Sequence, residues 1–84
     1  MIKILYFAGL REATGCAGES LVLPAGVTDV QGVLDLLRAR GGAWAEALAE
    51  TKRVRAAVNQ DLAGVRSAVR DGDELAFFPP VTGG

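Results

Sequence analysis

One stripe of apolar residues limits what this chain can build. Val30, Val33, Leu34 and Leu37 recur at the spacing that lines up along one side of an α-helix. The residues around its start, Thr28-Asp29-Val30-Gln31, have the form of a capping box. In that reading Thr28 accepts from the third helical amide, Gln31 reaches back, and Asp29 complements the helix dipole. Gly41-Gly42 ends the helix. A helix with a single apolar stripe must lie on something, and a sheet is what the rest of the chain offers.

Met1 to Phe7, MIKILYF, alternates around Lys3 and reads as an opening strand. With Lys3 toward solvent, Ile2, Ile4 and Tyr6 point inward, while Leu5 and Phe7 share the Lys3 side and Phe7 is partly exposed. Ala8 to Gly18, punctuated by Gly9, Gly15 and Gly18, reads as a loop or short helical turn. Glu19 to Leu23 is a second short strand closed by Pro24, which suggests a hairpin with the first. Beyond the main helix, Trp44 and Leu48 share a face of a shorter helix through AWAEALAE. Val54 to Asn59 returns to strand character, with Val54, Ala56 and Val58 alternating against Arg55. Asn59-Gln60-Asp61 is a turn, a short extended piece follows near Leu62 to Val65, and Arg70-Asp71-Gly72-Asp73 is a strong turn signal. In the last strand, Glu74 to Phe78, Leu75 and Phe77 face the core; Ala76 and Phe78 face out, so Phe78 joins Phe7 as an exposed aromatic. The order of elements predicts an α+β fold, a mixed sheet packed on one main helix plus a short helix. Strand order does not follow from the pattern.

Composition narrows the function. A chain of 84 residues has little room for an enclosed pocket beside a core, which disfavours a self-sufficient enzyme. A net charge of -1 gives no basic field for nucleic acid, so a protein partner is expected. A single cysteine and no histidine exclude an internal disulfide, a multi-cysteine metal centre and a Ser-His or Cys-His pair. No bound metal or cofactor is expected. The apolar run ILYFAGL is too short to span a bilayer, which favours a cytoplasmic protein with no membrane partner. Cys16, between Gly15 and Ala17, reads as a half-buried structural thiol rather than a reactive thiolate or persulfide carrier. Asp71, Asp73 and Glu74 read as turn chemistry rather than a cation site, and Lys52, Arg53, Arg55, Arg66 and Arg70 as a solvated face.

The chemistry concentrates in FFPPVTGG, Phe77 to Gly84. Residues 1–78 form the domain in this reading, and residues 79–84 an extended, flexible tail able to reach about 20 Å. Pro79-Pro80 stiffens its first part. Past Val81 and Thr82, Gly83 and Gly84 remove side-chain bulk, so the terminal carboxylate can thread a narrow channel. At neutral pH that group is an anion and a poor electrophile, so something must activate it.

These residues resemble the small, sulfur-carrying subunit of molybdopterin synthase, in the MoaD-like group of ubiquitin-like β-grasp proteins. The resemblance spans essentially the whole chain and is carried by MIKILYFAGLRE, by AAVNQDL at Ala56 to Leu62, by DGDE at Asp71 to Glu74 and by FFPPVTGG. It implies a β-grasp fold and a role in molybdenum cofactor biosynthesis. Gly84 would be adenylated by an E1-like activating enzyme at the expense of ATP. It would then be thiocarboxylated with sulfur from a donor such as a cysteine desulfurase or rhodanese-like protein. The tail would finally donate that sulfur to a pterin precursor inside the large synthase subunit, in a heterotetramer whose active site lies in that large subunit. Gly83 would be the slim neighbour of Gly84, and Phe7, Arg11, Leu62 and Phe78 the partner surface. A carrier for thiamine or tRNA thiolation, a protein modifier joined to lysines through Gly84, and a binding module using the Phe7 and Phe78 patch alone are the alternatives.

Overall fold

The computed structural model describes residues 1–80; the expectations for Val81, Thr82, Gly83 and Gly84 lie outside the described residues. Five segments pair into one mixed sheet: β1 (Ile2–Tyr6), β2 (Gly18–Leu21), β3 (Arg55–Val58), β4 (Asp61–Ala63) and β5 (Glu74–Phe78). Their order across the sheet is β2-β1-β5-β3-β4. The last strand in sequence is therefore the central one, parallel to β1 and antiparallel to β3. The first two strands do pair antiparallel as expected of a hairpin, but the segment between them folds into a helix, α1 (Gly9–Thr14). Gly15, at φ 69°, closes that helix in the left-handed region that glycine enters without penalty.

The inner face of the sheet carries the alternating residues Ile2, Ile4 and Tyr6 of β1, Leu75 and Phe77 of β5, and Ala56 of β3. They form one core with Val30, Val33, Leu34 and Leu37, the stripe of α2 (Val30–Arg38), and with Leu48 just past α3 (Gly42–Ala47). Each large apolar side chain so buried contributes roughly 1.5–3 kcal/mol, which is why the period of the stripe decides the fold. A single 3-10 turn, Glu50–Lys52, leads from α3 toward β3.

The cap of α2 differs from the sequence expectation. Asp29, not Thr28, is the N-cap; its Oδ1 accepts from the Gly32 amide at 2.8 Å. The Gln31 side chain donates forward to Asp35 at 2.9 Å instead of reaching back. The reason is tertiary: the Thr28 carbonyl accepts from the Val69 amide, and Asp29 bridges Ala68, so the chain stays extended through Asp29.

The outward side of β5 also differs. Ala76 is buried and Phe78 half-buried, where both were expected to face solvent. Because β5 lies between β1 and β3, neighbours on both sides cover its outward residues.

Near the β2 edge, one polar cluster ties elements together. The Tyr6 hydroxyl donates to Glu19 Oε2 at 2.8 Å and accepts from Trp44 Nε1 at 3.1 Å. Arg40 grips the same carboxylate with two hydrogen bonds, at 2.8 and 2.6 Å, and lies 5.1 Å from the centre of the Trp44 ring. The Arg40 bonds hold the Glu19 carboxyl below its usual range, and burial pushes the Tyr6 phenol up.

Candidate functional site

The outer face of the sheet is built by register. Leu5 pairs with Ala76, Ala76 with Ala57, and Ala57 with Leu62, so one apolar row crosses four strands. At about 4.8 Å per strand the row spans roughly 14 Å. In the next row, toward the end of β5, Phe78 pairs with Arg55. Phe7 joins that end of the sheet, because its amide donates to the Phe77 carbonyl at 3.0 Å and its side chain shares the outer face with Leu5. Phe7 is 48% exposed and Leu62 66%. Large apolar side chains this open, set around small alanines, form a flat surface suited to another protein.

The same end of β5 delivers the chain into a groove. Pro79, half-buried, and Pro80, exposed, line it together with Leu10 and Ala13 of α1, Ala47 of α3, and Val54. Its volume is about 310 Å³, and Lys52 also lines it. With no amide hydrogens to pair, the two prolines leave the sheet without orphaned donors.

What fixes this exit is the turn at the other end of β5. Asp73 accepts from the Arg70 amide at 2.8 Å and from Asn59 Nδ2 at 3.0 Å, and these bonds hold its carboxyl below the usual range. Asn59 Oδ1 in turn accepts from the Glu74 amide. The turn therefore sets the register of β5, and register decides which residues accompany the tail out of the fold.

Of the residues singled out in sequence, the structure brings Phe7 and Phe78 to one end of the sheet. Leu62 lies on the same face at the far edge, and Arg11 is exposed on α1, four residues after Phe7. Cys16 is half-buried, its Sγ donating to the Gly18 carbonyl at 3.3 Å. Leu5, Ala57 and Ala76 were not singled out, although the period of two placed Leu5 and Ala76 outward; only register shows that they complete the row. Lys52, read in sequence only as part of a solvated basic face, also lines the groove. Among the described residues no group of three or more His, Cys, Asp or Glu is placed to hold a metal, and no helix is long and apolar enough to cross a membrane.

A mixed five-stranded sheet wrapped on one principal helix, its central strand running out through a proline pair beside an open apolar face, defines a ubiquitin-like β-grasp protein. Within that class the chain belongs to the ThiS family, whose model matches residues 4–84. It is 43% identical over 84 residues to the molybdopterin synthase sulfur carrier subunit of Escherichia coli, covering 100% of both chains. To the protein of the same name from Haemophilus influenzae it is 42% identical, again over 100% of both. Among solved structures, small archaeal modifier protein 1 from Methanosarcina acetivorans superposes with a TM-score of 0.73 at 26% identity, over 99% of this chain and 95% of that one.

Proposed function

We propose that this chain is the sulfur carrier of a molybdopterin synthase, in the pathway that makes the molybdenum cofactor. The observation that carries this reading is the junction at the end of β5. An exposed apolar face and the root of a Pro-Pro-Val-Thr-Gly-Gly tail lie side by side, so a partner that docks on the face receives the tail. The two curated relatives support it, both being sulfur carrier subunits over their whole length.

The chemistry follows from the Gly84 carboxylate. An E1-like partner uses ATP to convert it to an acyl adenylate, giving the acyl carbon a good leaving group; the outer sulfur of a donor's persulfide displaces AMP to give an acyl disulfide, and a thiol reduces its S–S bond to release the thiocarboxylate and a disulfide. Gly83 and Gly84 carry no side chain that obstructs either partner's active site. The large synthase subunit takes the thiocarboxylate and supplies the catalytic groups, so this subunit is a donor rather than a catalyst. Phe7, Leu62 and Phe78, with Arg11 beside them, are the docking residues. The protein works in the cytoplasm, without a resident cofactor.

Likeness to a small archaeal modifier protein favours a second reading, in which Gly84 is joined to lysines of other proteins. Intact mass spectrometry separates the two. After incubation with the adenylating enzyme, ATP and a sulfur donor, the expected product is the chain with one oxygen replaced by sulfur at Gly84, absent when Gly83 and Gly84 are deleted. Recovery of Gly84 on lysines of other proteins, with no sulfur gained, favours the modifier; no change with all components active overturns both.

A further inference from the structure

The outer face of the sheet is charged unevenly. Outward residues of β1, β5 and β3 fall into rows. The row nearest the Asp73 turn holds Lys3 and Glu74, opposite each other in register, so its two charges adjoin and offset. The middle row, from Leu5 to Leu62, holds no charge. The last row sets Arg55 opposite Phe78 and holds no acid. Glu74 precedes Phe78 by four residues, about 13 Å at the strand rise, which exceeds the screening length of roughly 8 Å in physiological salt. On its other flank Arg55 meets no side chain. The register that pairs Ala56 with Ala63 would next oppose Arg55 to Gly64, and Gly64 has open space where a Cβ would stand. Arg55 is exposed, and among the described residues it forms no ion pair. The segment leading into β3 adds Lys52 and Arg53 against Glu50 alone, so this end of the face is net positive.

We propose that Arg55 sets which partner the outer face accepts, by taking a carboxylate that the partner presents beside its apolar contact. This rests on the carrier reading for the identity of that partner, the large synthase subunit.

The demand comes from desolvation. A protein that covers Phe7, Phe78 and Leu62 also covers Arg55, because β3 lies between β5 and the β4 edge. The guanidinium stays protonated at any pH the protein meets, so it cannot shed its charge to enter the interface. Left unpaired under a partner, it loses its water and gains nothing, and a surface without an acceptor is rejected. An aspartate or glutamate placed over it accepts two parallel hydrogen bonds, which fix the partner's register as well as holding it. Lys3 makes no such demand, because Glu74 supplies the opposite charge on the same face. The apolar row thus contributes adhesion, and Arg55 discriminates among the surfaces that could adhere.

Removing the charge while keeping most of the bulk decides the matter by the sign of the effect. Arg55→Met and Arg55→Gln are titrated calorimetrically against the large synthase subunit, beside wild type and Arg70→Gln, an equal change of charge in the turn at the opposite end of β5. Arg55 and Arg70 are both exposed, so each variant should unfold at the wild-type denaturant midpoint. With a carboxylate opposite, both Arg55 variants leave that acid unpaired and weaken binding by about tenfold or more, while Arg70→Gln stays within about twofold. Arg55→Glu weakens it further, and changing one interface Asp or Glu of the large subunit to Arg restores binding to Arg55→Glu. Arg55→Met that binds as tightly as wild type or tighter, an equal loss in Arg70→Gln, or the absence of any exchange that restores Arg55→Glu overturns the proposal. Wild type that does not bind the large subunit at all brings down the carrier reading, and this assignment with it.

Discussion

The amide of Phe7 donates to the carbonyl of Phe77, extending the β1–β5 pairing one residue beyond β1 and placing an open aromatic beside the strand that leads into the tail. Phe77 itself is fully buried and stacks on Tyr6, ring centres 6.4 Å apart. Neighbours joined by one hydrogen bond thus face opposite demands, one side chain serving the core and the other the surface.

Replacing each by alanine should separate those demands. Phe77→Ala is expected to cost roughly 3–5 kcal/mol, a large part of a small domain's stability, read as a lower denaturant midpoint. Phe7→Ala should leave that midpoint within about 0.5 kcal/mol of wild type. In titration calorimetry against the large synthase subunit it should weaken binding about tenfold or more. Unchanged affinity in Phe7→Ala and in Leu62→Ala would remove the outer face from the proposed interface.

The N-cap offers a second contrast. Asp29→Ala removes the acceptor for the Gly32 amide and is expected to cost about 1 kcal/mol. Thr28→Ala, despite the capping-box pattern, should stay within about 0.5 kcal/mol in the same chemical unfolding experiment. Equal losses at the two positions would restore Thr28 as the cap.

Acid should loosen the β2 edge through Glu19. Its carboxyl is held below its usual range, chiefly by Arg40, so the folded state binds the proton less readily than the unfolded one. That contribution is complete above the unfolded pKa of about 4.3 and is lost as pH falls from there through the depressed folded value. Glu19→Gln should be less stable at neutral pH by roughly 1–2 kcal/mol and should show a flatter fall in stability between about pH 5 and pH 3. Melting curves across that range would show it; parallel profiles for the two proteins would refute the assignment.

The β3–β4 turn has room for improvement. Asn59 and Gln60 sit at φ 50° and 72°, the left-handed pair that a two-residue hairpin requires and that Asn-Gly satisfies best. Gln60→Gly is expected to stabilise the protein by roughly 0.5–1 kcal/mol, raising the thermal midpoint by a few degrees. A lower midpoint would mean that the Gln60 side chain is needed.

Much of this architecture was legible in the residues because burial is periodic. The stripe Val30, Val33, Leu34 and Leu37 is buried as its spacing required, and β5 runs over Glu74–Phe78 as its alternation predicted. Local pattern failed where distant segments decide the outcome. Asp29 took the cap because Ala68 and Val69 hold the preceding residues extended, which no window around Thr28 contains. Phe78 is half-buried because β5 is central, and strand order is not encoded by a period of two. The same limit applies to the candidate site: Phe7 and Leu62 could be named from sequence, whereas the row that joins Leu62 to Ala57, Ala76 and Leu5, with Phe7 just beyond it, exists only once the register is known.

Central placement of β5 also bears on how the protein is made. β1 and β3 do not pair with each other; only β5 joins them, and it is translated after both. Until residue 78 is translated, the three helices and the strand pairs β1–β2 and β3–β4 have no central strand to join them. Assembly must wait for the segment that also leads to the reactive end, and such sequence-distant pairing is slow. A product cut short before Phe78 would therefore lack both the bridge of the sheet and the tail proposed to carry sulfur, so a fragment that could not be loaded would also be one that could not fold, and would be open to proteolysis.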